Sequence, residues 1–94
     1  MKTITTEEEI YHFAVERWGH KSVADLALKL SEESGEVAGV CIKRGERRST
    51  LSDLDNEIGD VLIVLSQMAS LRGQTLEELR ASRFLQIKAR FEKL

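Results

Sequence analysis

The chain has 94 residues, of which 41% are hydrophobic and 32% charged, with a net charge of −2. That length allows one small domain with a modest core, and the slightly acidic balance argues against a dedicated nucleic-acid binder. The single cysteine, Cys41, cannot make an intramolecular disulfide, so nothing implies an oxidising compartment.

There is no proline, and Ser, Thr and Gly fall where helices should start and stop. Thr6 with Glu9 reads as a capping box that opens a helix running to about Trp18. After a break at Gly19 to Lys21, Ser22 with Asp25 caps a second, long helix ending near Arg44, with Gly45 just beyond. Cys41, inside that apolar helix, is expected in the core. A basic connection follows, and Ser52 with Asp55 caps a third helix running to about Arg72, where Gly73 stops it. Thr75 with Glu78 opens a last helix that continues to the C-terminus. Nothing alternates with a period of two. The expected fold is all-α, an up-down four-helix bundle in a single domain spanning residues 1–94. The longest apolar run, Val61 to Leu65, is far too short to cross a bilayer, and Met1 leads straight into K-T-I-T-T-E-E-E. The expected location is the cytoplasm, with no membrane partner.

Five carboxylates interrupt the two most apolar stretches: Glu32, Glu33 and Glu36, then Glu57 and Asp60. At 100° per residue, Leu26, Leu30, Val37 and Cys41 share one arc of the second helix. Glu33 falls inside that arc, Glu36 at its edge and Glu32 further toward solvent. On the third helix Leu54, Ile58, Val61 and Leu65 define the main stripe, with Glu57 and Asp60 to one side, next to Val64 and Leu71. The helix is apolar most of the way round, as expected of one covered on more than one side, and a second copy of the chain could supply the cover. Each of the pairs Glu33/Glu36 and Glu57/Asp60 is spaced by three and projects from one helix face. Antiparallel packing of the two helices would bring them together as a four-carboxylate nest that demands cations. All-oxygen ligation suits Mg²⁺, with Mn²⁺ as an alternative, and magnesium is commonly completed by substrate phosphates. Gly35 and Gly59 interrupt the same helices, each at about 1 kcal/mol relative to Ala, and suggest close helix approach or access for a ligand.

The pattern E-E-x-x-E, a spacer of 20 residues and then E-x-x-D resembles the signature of the MazG-type all-α nucleoside triphosphate pyrophosphohydrolases. L-K-L-S-E-E-S-G-E-V and E-I-G-D-V-L-I-V-L are similar to the family's helix-two and helix-three motifs, and the likeness extends along nearly the whole chain. The resemblance implies a Mg²⁺-dependent enzyme that cleaves (d)NTPs between the α and β phosphates, releasing a nucleoside monophosphate and pyrophosphate, for house-cleaning or control of nucleotide pools. It implies metal ligands at Glu33, Glu36, Glu57 and Asp60, and catalytic roles for Glu33 and for Glu32, which would orient the attacking water. It places aromatic groups of the first helix, Phe13 and Trp18, around the base, with His12 and Arg17 beside them. Lys43 after the first acid cluster and Arg83 and Arg90 on the last helix are candidates for phosphate contacts. Relatives often carry Lys, Asn and Arg along that last helix, and this chain has Arg83, Ile87 and Arg90, so the Asn has no counterpart. A dimer, or a tetramer of two dimers, is the implied assembly. Two alternatives share some of these features: a phosphoribosyl-ATP pyrophosphohydrolase, and a non-catalytic helical interaction module whose acids are structural.

Overall fold

The computed structural model describes residues 3–92, so the terminal two residues at each end of the expected 1–94 domain lie outside it. Four helices follow in chain order: α1 (Thr6–Trp18), α2 (Val23–Gly45), α3 (Leu51–Leu71) and α4 (Leu76–Phe91). No strand occurs among the described residues.

Every helix begins with a complete capping box. Two start earlier than the spacing suggested, α1 by one residue and α3 by two. Thr5 with Glu8, rather than Thr6 with Glu9, caps α1, and Thr50 with Asp53, rather than Ser52 with Asp55, caps α3. In both places two neighbouring hydroxyl residues each have an acid three positions on. The earlier choice gains helical hydrogen bonds such as Leu54 N–H to the Thr50 carbonyl at 3.2 Å. The caps hold Asp25 and Asp53 below the ordinary carboxylate range, chiefly because each accepts a backbone N–H, from Ser22 and Thr50 respectively. At the other ends, Gly19 and Gly73 take positive φ angles of 82° and 67° that favour glycine. The α2–α3 connection turns at Arg47, also at positive φ. The last helix ends at Phe91, with Glu92 as its cap.

The helices do not close into a bundle within one chain. α3 is central: α2 packs most extensively against it, α1 next and α4 only slightly. The radius of gyration is 16.2 Å, against about 12 Å expected of a compact domain this long. Among the described residues Ala14, Leu26, Val64 and Ala69 form the buried apolar core, and no residue of α4 is buried. A backbone tie helps to seat α4: Glu7 on α1 accepts the Leu76 N–H at 3.1 Å, satisfying one of the free donors at the α4 N-terminus.

This open shape corrects several core assignments. Cys41 is exposed, not buried, because its side of α2 is left uncovered within one chain. Leu30 and Val37 are only half-buried, and Ile58 is 43% exposed. The most buried large apolar side chain of α3 is Val64, on the acid-bearing side that packs against α2. Nor do Gly35 and Gly59 serve close approach within the chain, since a Cβ added at either would meet nothing within 4 Å. Large apolar side chains remain exposed along α4, including Phe84 at 61% and Leu85 at 67%.

Candidate metal centre and nucleotide cleft

Antiparallel α2 and α3 bring their acids together. One oxygen each from Glu33, Glu36, Glu57 and Asp60 can be chosen so that all four lie within 4.8 Å of one another. Glu33 is buried, with 7% of its surface exposed, Glu57 is half-buried, and Glu36 and Asp60 are exposed. The Oε2 atoms of Glu33 and Glu57 are sealed from solvent and have no hydrogen-bond partner. Two sealed, unpartnered carboxylate oxygens are costly. An all-carboxylate donor set with free oxygens aimed together fits a hard divalent cation.

The chain supplies one nearby cation of its own. Lys29 Nζ lies 3.2 Å from Glu33 and 3.5 Å from Glu32, on one turn of α2. The hydrogen bond to Glu33, followed by the charge of Glu32, pushes the Lys29 pKa up. Lys29 reaches only one of the four clustered acids and leaves Glu33 Oε2 unsatisfied. Sequence reasoning had passed over this lysine, although its spacing of four from Glu33 is the signal for such a pair.

A cleft of about 860 Å³ opens beside the acids. Glu33, Asp60, Glu32 and Lys29 line one part of it, Leu26, Ile63 and Val64 form apolar wall, and Trp18 and Lys21 come from the α1–α2 corner. Trp18 also borders a smaller, largely apolar hollow with Phe13, Ile10 and Ala14. The Phe13 and Trp18 rings meet edge to face at 6.0 Å, and the Arg17 guanidinium lies 5.3 Å from the Phe13 ring centre. Both aromatic rings are more than half exposed.

The remaining candidates stand apart from this cleft within one chain. His12 is exposed and packs edge-on to Tyr11, whose hydroxyl is hydrogen-bonded to His20 Nδ1 at 2.9 Å. Lys43 is near the far end of α2, close enough to Asp53 to lower that acid's pKa further. Arg83 donates to Gln86 at 2.9 Å on α4, and Arg90 is exposed one helical stretch beyond.

The MazG nucleotide pyrophosphohydrolase domain profile matches residues 21–89. The chain belongs to the MazG nucleotide pyrophosphohydrolase domain family. The matched stretch contains all four clustered acids, Lys29, Lys43 and Arg83, while α1 with its aromatic groups, and Arg90, fall outside it. Neither a curated protein nor a solved structure matches at a significant level. Family membership supports a pyrophosphohydrolase enzyme in general.

A cation seated among these acids would satisfy the two sealed oxygens and remove repulsion, and anything bound only by the native state stabilises it by mass action. Millimolar Mg²⁺ or Mn²⁺ should therefore raise the melting temperature above that in EDTA. Glu57→Gln should reduce that rise while leaving the metal-free protein as stable or more so. Identical melting curves with and without metal would show that the acids do not hold a cation.

Proposed function

We propose that this MazG-family chain is a Mg²⁺-dependent nucleotide pyrophosphohydrolase, with Mn²⁺ as an alternative metal, that cleaves (d)NTPs between the α and β phosphates. The observation that carries the reading is the four-acid cluster with its two sealed, unpartnered oxygens, set at the edge of a nucleotide-sized cleft. In this reading residues 1–94 form one catalytic domain. Its physiological work is house-cleaning or control of nucleotide pools.

Glu33, Glu36, Glu57 and Asp60 would hold the metal. Bound there, divalent metal supplies charge neutralisation for the phosphate chain and a more acidic water. Everything else falls to the chain's own groups. Glu32 lies on the cleft wall with a side chain 58% exposed, steadied by Lys29. It would orient the attacking water and accept its proton. The water oxygen bonds to phosphorus at the α–β anhydride as the bridging P–O bond breaks, and pyrophosphate leaves. Lys29, with one proton toward Glu33 and one toward Glu32, keeps a third for an oxygen of the phosphate chain. Trp18, with Phe13 behind it, flanks the base against the apolar wall of Leu26, Ile63 and Val64. No covalent nucleophile is required.

The chain works as a homodimer or a tetramer of two dimers in this reading. Support comes from α4, which buries nothing and exposes Phe84, Leu85 and Phe91. A patch of this kind normally marks an interface. Within such an assembly His12, Arg17, Lys43, Arg83 and Arg90 could reach a cleft that they do not line in their own chain. Light scattering should give at least twice the 10.6 kDa of one chain; a stable, active monomer at micromolar concentration would refute the assembly.

The acids provide the sharper test. Amide replacement of Glu33, Glu36, Glu57 or Asp60, one at a time, should lower kcat/KM for pyrophosphate release by about two to three orders of magnitude. Glu32→Gln should slow turnover while metal-dependent stabilisation persists. Undiminished hydrolysis by Glu57→Gln or Asp60→Asn would end the proposal.

A further inference from the structure

Gln67 is a polar side chain in an unusual place. It continues the face of α3 that carries Glu57, Asp60 and Val64, at offsets of three, seven and ten residues from Glu57. It is 9% exposed, yet it lines the cleft together with Leu26, Val64 and Trp18. Its amide orientation is set locally. Nε2 donates to the Ile63 carbonyl at 3.3 Å, an acceptor that only the NH₂ end can satisfy. Oε1 has no hydrogen-bond partner among the described residues, and it is not among the sealed, unpartnered atoms. Oε1 is therefore an acceptor open to solvent, without a hydrogen-bond partner, on a side chain that lines the cleft.

The charged groups lining the cleft belong to the acid cluster, as Glu33 and Asp60 do, or pair with one another. Lys29, Glu32 and Glu33 pair with one another beside the acid cluster. Asp25 accepts the Ser22 N–H at 3.1 Å, and Lys21 is near enough to Asp25 to lower its pKa. Gln67 is the neutral acceptor in the lining that lacks a partner among the described residues, since the Trp18 indole can only donate. It follows Asp60 by seven residues, about 10 Å along the helix axis at 1.5 Å per residue. That distance is comparable with the reach from the phosphates of a nucleotide to the far edge of its base.

With the phosphates at the acids, the part of the base furthest from the sugar meets Gln67. At that edge, pyrimidine C4 or purine C6 carries either an amino group or a carbonyl. Oε1 pairs with the first and repels the second, which only the one Nε2 proton not given to Ile63 could then serve.

We propose that Gln67 is a specificity-determining residue whose Oε1 selects nucleobases with an exocyclic amino group at the distal edge, as in cytosine and adenine, over those with a carbonyl, as in uracil and guanine. The inference rests on the reading of this cleft as a nucleotide site, and it names the substrate class. A carbonyl opposite Oε1 leaves two acceptors desolvated without a proton, which weakens binding by about tenfold to a hundredfold.

Trp18 is the chain's single tryptophan and lines the same cleft, so its fluorescence reports occupancy directly. The experiment measures dissociation constants for the α,β-methylene analogues of CTP, ATP, UTP and GTP on the full chain, in Mg²⁺ and in EDTA. Pyrophosphate release from the four natural triphosphates is measured in parallel. The expected result is binding of the cytosine and adenine analogues about tenfold or more tighter than the uracil and guanine ones. Gln67→Met, similar in length and apolar, should erase that difference by weakening the amino-bearing bases, with the melting temperature as a check on folding. Equal affinities across the four bases in the unaltered protein, or a preference for uracil or guanine, overturns the inference whether or not the variant folds. A folded Gln67→Met that keeps the original preference also overturns it. Base-selective binding without pyrophosphate release upholds the role of Gln67 and defeats the hydrolase reading; pyrophosphate release without base selectivity does the reverse.

Discussion

Repulsion among four carboxylates on the α2–α3 seam is the constraint around which the rest of this structure is arranged. At a separation of 4.8 Å, two such charges repel by roughly 3–4 kcal/mol at an effective dielectric of 20, less where water screens Glu36 and Asp60. The seam is also where most of the chain's interhelical packing lies. The fold thus spends its best packing on holding like charges together. Lys29 relieves part of the repulsion around Glu33 and leaves the Oε2 atoms of Glu33 and Glu57 sealed and unpartnered. Such an arrangement is poor for a purely structural helix pair and well suited to a hard cation.

The rest of the molecule positions that seam and the space beside it. Capping boxes fix where each helix begins, and so fix the register in which Glu33 and Glu36 oppose Glu57 and Asp60. The α1–α2 corner brings Trp18 to the cleft mouth, while Leu26 and Val64 supply a dry wall at the level where the base would lie. Lys29, Glu32, Glu33 and Asp60 give the cleft its acid-rich part, and Leu26, Ile63 and Val64 give it an apolar wall. The outer sides of α3 and α4 are left uncovered, which leaves a single chain with four buried apolar residues among those described.

Much of this was legible in the residues, for identifiable reasons. Acids spaced by three inside apolar helices must share a face, so the convergence of Glu33, Glu36, Glu57 and Asp60 followed from helical geometry once α2 and α3 were taken as antiparallel. Cap positions were less determined, because Thr5 and Thr6 each have an acid three residues on, as do Thr50 and Ser52. Cys41 and Ile58 looked like core because periodicity marks the apolar side of a helix and does not say whether the same chain covers it. Gln67 escaped notice because a glutamine in a helix normally faces water. Its signal lay in the face it shares with Glu57, Asp60 and Val64.

Localising a paramagnetic ion tests the central claim most directly. Substoichiometric Mn²⁺ added to isotopically labelled protein broadens the resonances of groups near the ion. The account predicts that the side-chain carboxyl signals of Glu33, Glu36, Glu57 and Asp60 disappear first and return when excess Mg²⁺ displaces the manganese. The signals of Glu9 on α1 and Glu77 on α4 should persist. Broadening spread evenly over the acids of all four helices, or none at the α2–α3 seam, would contradict it.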